Sequence, residues 1–81
     1  MEITMNNVYV IFGRQFSIDE IKQELKEEGY NHNFFFGHRK SYDEKIKGLE
    51  VADEVWIFGD VKGYEDYEMA LVRNLDIWVM G

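Results

Sequence analysis

The chain has 81 residues, no cysteine, 16% aromatic residues and a formal net charge of −7. These values exclude a disulfide framework and a thiolate zinc site, leave stability to packing, and argue against general affinity for nucleic acid. The apolar runs are too short to span a bilayer, and Met1–Gly13 does not read as a signal peptide, so the expectation is one cytoplasmic domain covering residues 1–81.

In chain order, the first apolar run is Val8–Phe12, closed by Gly13. Ser17-Ile-Asp-Glu20 follows as a capping box, with Phe16 and Ile21 as a hydrophobic staple. Ile18, Ile21 and Leu25 then share one helical face, and Gly29 suits the position just past the helix end. Phe34–Phe36, closed by Gly37, predicts a short second strand, with His32 in the turn before it and no role assigned to it. Ser41-Tyr-Asp-Glu44 is a second capping box, and Tyr42, Ile46 and Leu49 continue at helical spacing until about Ala52. Val55–Phe58 and Gly59 predict a third strand. A third helix is expected from about Tyr64 to Asn74, with Tyr67, Ala70, Leu71 and Asn74 on one face and Tyr64 and Leu75 on its flank. Ile77–Met80, closed by Gly81, completes the pattern as a fourth strand.

The order β-α-β-α-β-α-β implies a parallel sheet. The first and third runs are the most hydrophobic and should be central. The expected fold is therefore a small flavodoxin-like α/β domain with four parallel strands in the order 2-1-3-4, three helices, and a switch point between the first and third strands. Phe34–Phe36 then becomes an edge strand. A phenylalanine-rich edge is a pairing hazard, so self-association into a homo-oligomer is expected.

Ligands of open α/β sheets sit beyond the C-terminal ends of the strands. That end collects Gly13-Arg14-Gln15, Gly37-His38-Arg39-Lys40 and Gly59-Asp60-Val61-Lys62-Gly63. Arg14 suits a bidentate oxyanion contact. His38-Arg39-Lys40 is the one compact basic run, readable as a phosphate or carboxylate site or as a solvated loop. Glu65, Asp66 and Glu68 open the third helix, where carboxylates are favoured by the helix dipole alone. Glu68 lies beside the Tyr64, Leu71 and Leu75 flank and is expected to lean toward the cleft. The two histidines lie in different loops and make no metal signature, and no cofactor-binding motif is present.

Ala52-Asp-Glu-Val-Trp-Ile-Phe-Gly59 together with Glu68-x-Ala70 resembles the nucleoside 2-deoxyribosyltransferase-like superfamily, and Val8–Gly13 resembles its first strand and loop. In that family the helix Glu attacks the anomeric carbon of a deoxyribose and displaces the base, as in retaining glycosidases. The resemblance implies that Glu68 is the nucleophile and that Asp60 contacts base or sugar. It also implies that Gly13 and Gly59 give room for the nucleoside. With Arg14, His38 and Arg39 these are the expected ligand-binding residues of a nucleoside- or nucleotide-binding domain. Lys62-Gly63-Tyr64 departs from the family's small turn before the Glu.

A second reading is a small acidic interaction protein that covers a basic site on a larger protein, in the manner of phage-type inhibitors. Its basis is the net charge and the run Asp53, Glu54, Asp60, Glu65, Asp66, Glu68 and Asp76, opposed only by Lys62 and Arg73.

Overall fold

A computed structural model describes residues 6–37 and 40–80. Within them the chain forms β1 (Asn7–Phe12), α1 (Ile18–Glu27), β2 (Asn33–Phe36), α2 (Tyr42–Val51), β3 (Glu54–Phe58), α3 (Glu65–Val72) and β4 (Asp76–Val79). His38, Arg39 and Gly81, all part of the expectations above, lie outside the described residues.

Local chemistry accounts for most element ends. The Ser17 hydroxyl accepts from the Glu20 amide at 3.2 Å and starts α1. Ser41 does the same for the Glu44 amide at 3.3 Å and starts α2. The Ser41 hydroxyl also donates to the Glu44 carboxylate at 3.1 Å, so this box closes side chain to side chain. Helix α1 ends in a Schellman motif. Gly29 takes φ +78, its amide reaches the Lys26 carbonyl, and the Tyr30 amide reaches that of Leu25. Helix α3 ends the same way with Asn74 at φ 56, donating to Leu71 while Leu75 donates to Ala70. Asn is the one common non-glycine substitute there. The helix therefore stops at Val72, before the expected Asn74.

The four strands form one all-parallel sheet in the order β2-β1-β3-β4. The central strands are buried on both faces, which is why Val8–Phe12 and Val55–Phe58 read as unbroken apolar runs. Side chains alternate between two cores. On one face Tyr9, Ile11, Val55 and Ile57 pack with Leu49 of α2 and Met69 and Ala70 of α3. On the other, Val8, Val10, Phe12, Trp56 and Phe58 pack with Ile21 and Leu25 of α1.

The expected face of α3 is rotated in the structure, whereas that of α2 holds at Ile46 and Leu49 and loses only its first residue. Helix α3 buries Asp66, Met69 and Ala70, while Leu71 is exposed. The periodicity was masked because its first inward position carries an aspartate. Tyr42 is also exposed, and α2 packs mainly through Leu49 and the partly buried Ile46. Among the described residues, no helix is long and apolar enough to cross a membrane.

Candidate functional site

The C-terminal ends of β1 and β3 form the switch point. The Gly13 amide donates to the Phe58 carbonyl at 2.8 Å, tying the two strand ends together. A Cβ on Gly13 would lie 3.1 Å from the Asp60 carbonyl oxygen, so Gly13, Gly59 and Asp60 are brought together. The Gln15 side chain lies across both glycines and would collide with a Cβ on either. Gly59 also holds φ +85, a conformation that side chains rarely adopt. Arg14 is exposed in the same turn. Asp60 is exposed too, and its carboxylate accepts from the Lys62 amide at 3.2 Å in an Asx turn. Glu68 is exposed on α3, and its carboxylate makes no hydrogen bond or ion pair with another described residue.

The carboxylate that turns inward is Asp66, two residues earlier and only 5% exposed. It stands in the first turn of α3, where unpaired amides and the helix dipole provide positive potential. The Tyr9 hydroxyl donates to it across 3.4 Å, and the Lys45 ammonium from the first turn of α2 stands 4.0 Å away. The three side chains come from β1, α2 and α3, so only the folded chain assembles them. Burial, followed by the negative charge of Asp66, raises the Tyr9 hydroxyl well above the ordinary tyrosine pKa. Tyr9 is therefore a firmly protonated donor.

Tyr9 also explains two glycines. A Cβ on Gly37 would overlap its hydroxyl, and one on Gly48 would lie 2.9 Å from its ring. Glycine inside a helix costs about 1 kcal/mol relative to alanine, yet Gly48 sits in the middle of α2. That side-chain-free position lets the ring pass close to the helix. Tyr9, Gly37, Lys40, Glu44 and Gly48 line a cavity of about 500 Å³ that continues to Phe34–Phe36. The tyrosine thus links the buried aspartate to a space accessible from outside.

Sequence reasoning named Asp66 only as one of three first-turn acids and did not single out Tyr9, Lys45 or Gly48. The usable signal was paired: a glycine inside α2, and an aspartate in phase with Met69 and Ala70. The acidic run also divides. Asp53, Glu54 and Asp76 gather at the N-terminal ends of the strands, where Asp53 accepts from the Asn7 amide at 2.8 Å and Glu54 pairs in register with Asp76. Asp60, Glu65 and Glu68 stand exposed toward the other end. Among the described residues no group of three or more His, Asp or Glu side chains is arranged to hold a metal ion. No family model, curated protein or solved structure matches the chain.

Proposed function

We propose that this chain is a small nucleoside- or nucleotide-binding domain whose ligand sits at the C-terminal ends of the strands, with cleavage of the N-glycosidic bond as its candidate reaction. The observation that carries the reading is the Asp66–Tyr9–Lys45 group, in which Asp66 and Tyr9 are buried and Lys45 is partly buried. Buried ion pairs are weak stabilisers, because desolvation offsets most of the attraction. A domain this small could fill the same volume with apolar side chains. Placing charges and a hydroxyl where α/β sheets bind ligands is better explained by a ligand with polar edges.

In this reading Asp66 accepts hydrogen bonds from sugar hydroxyls, oriented by Tyr9 and neutralised by Lys45. Gly13 and Gly59 admit the ligand once Gln15 swings aside, and Arg14 meets a phosphate at the rim. Glu68 and Asp60 are the rim carboxylates. Following the resemblance, Glu68 attacks the anomeric carbon, the base leaves with its bonding electrons and takes a proton, and water then hydrolyses the glycosyl ester.

The acidic-partner reading keeps one specific support. Asp60, Glu65 and Glu68 are exposed and carry no ion pair with another described residue.

Thermal-shift titration and base-release assays with deoxynucleosides and their 5′-monophosphates test the proposal. The expected results are a concentration-dependent rise in Tm and base release that Glu68→Gln removes without loss of fold. Asp66→Asn should abolish the ligand-induced shift. No shift and no release with any natural base would overturn the proposal and leave the acidic-partner reading.

A further inference from the structure

The two edges of the sheet, each without a further strand among the described residues, differ in chemistry. Edge β4 exposes Trp78 (56%) and Val79 (75%) and begins with the exposed Asp76. Edge β2 carries Phe34, Phe35 and Phe36, all only partly buried. Beside it runs a trough of about 450 Å³ between α1 and Phe34 and Phe36, rimmed by Lys22 and Lys26. Neither lysine forms an ion pair with another described residue, in a chain of net charge −7. One edge offers a tryptophan and an aspartate, and the other offers an aromatic trough with two cations that no carboxylate neutralises among the described residues, Lys22 standing over the Phe36 ring at 5.6 Å.

Backbone directions are set as well. The Asn33 amide donates to Asn6, so by strand alternation the N–H and C=O groups of Phe34 and Phe36 face away from β1. The Met80 amide donates to Ile57, so those of Ile77 and Val79 face away from β3. The sheet rows run Phe36, Val10, Trp56, Trp78 and Phe34, Val8, Glu54, Asp76.

We propose that copies of this chain join head to tail, β4 of one copy pairing in parallel with β2 of the next. Continuing the rows sets Trp78 beside Phe36 of the next copy, on the same sheet face and in the trough. Asp76 then comes beside Phe34, near Lys22 and Lys26. The contact is heterologous, so it forms open chains or a ring rather than a closed two-fold dimer. A β2–β2 contact would instead bring the lysine rims of both copies together. Main-chain hydrogen bonds supply the pairing, and the tryptophan and charges set its direction.

Two blocked variants test this. Val79→Pro removes an outward N–H of β4 while keeping the bonds to β3, and Trp78→Asp is its alternative should the proline disturb the fold. Lys22→Glu with Lys26→Glu reverses the charge of the β2 trough. Sedimentation velocity should show wild-type mass growing with concentration up to several hundred micromolar. Each blocked variant alone should be monomeric with wild-type circular dichroism, and an equimolar mixture of the two should yield a dimer and nothing larger. A wild-type monomer throughout, self-association of either variant alone, or no dimer from the mixture would overturn the proposal.

Discussion

The two faces of the sheet solve the same problem with different materials. The buried core under α2 and α3 is mainly aliphatic; its one fully buried aromatic, Tyr9, reaches a charged group, while Phe35, Tyr64 and Tyr67 pack at its partly buried margin. The face under α1 has a single helix and is filled with rings. Trp56 makes edge contacts with Tyr30, His32 and Phe34, at centroid distances of 4.9, 5.2 and 5.4 Å. Phe16 packs on Phe58 at 6.2 Å and Phe12 on Phe36 at 6.5 Å. A strand order of 2-1-3-4 places one helix on one face and two on the other. Where a helix is missing, large rings cover the sheet, because each buries more area than an aliphatic side chain. Where helices are plentiful, room remains for a polar group between their N-termini.

The largest expected effect tests the ring-filled face. Trp56 is 4% exposed and lies among three rings. Trp56→Ala should cost about 4 kcal/mol, enough to unfold much of a domain this size. Urea denaturation followed by circular dichroism measures it. A loss under about 1 kcal/mol would mean that α1 alone secures this face.

Next is the polar group of the opposite face. Asp66→Ala leaves Lys45 without its partner in a poorly hydrated position and should cost about 3 kcal/mol. Asp66→Ala with Lys45→Met should recover part of that loss, and a double-mutant cycle reads the coupling directly.

Tyr9→Phe should cost about 1 kcal/mol, the value of one modest hydrogen bond. Its pH dependence has a definite sign. The folded-state pKa of Tyr9 is raised, so its protonated form is favoured by folding. Its contribution is fully present below the unfolded tyrosine pKa of about 10 and is lost as pH rises beyond that value. The stability gap between wild type and Tyr9→Phe should therefore hold constant through neutral pH and shrink above about pH 10.

The smallest expected effect is at the exposed end of the ring-filled face. Trp78→Ser should change monomer stability by about 0.5 kcal/mol or less, measured by urea titration at low micromolar concentration. A loss comparable with Trp56→Ala would show that Trp78 is part of the monomer's core.

These contrasts follow what the sequence could disclose. Strand order and both serine caps were legible, because continuous apolar runs mark central strands and a Ser-x-x-Glu spacing needs no tertiary partner. The phase of α3 was not. Periodicity weighs hydrophobic residues, and the inward position that matters carries Asp66, whose burial depends on Tyr9 and Lys45 from distant elements. Glu68 drew attention through the resemblance, yet it stands in solvent, two residues along α3 from that inward-turned aspartate and on a different face. At the switch point, Gly13 and Gly59 were legible as glycines closing strands. Gln15 lying across them is a tertiary fact that no local pattern encodes.

The central claim is that a nucleoside or nucleotide binds at the C-terminal ends of the strands, beside Asp66. Amide chemical-shift mapping with deoxynucleosides and their 5′-monophosphates tests it most directly. The account predicts saturable shifts at Gly13–Gln15, Gly37, Gly59–Asp60 and Glu65–Glu68, absent in Asp66→Asn. Unchanged spectra, or shifts confined to Tyr30–His32 at the opposite end of the sheet, would contradict it.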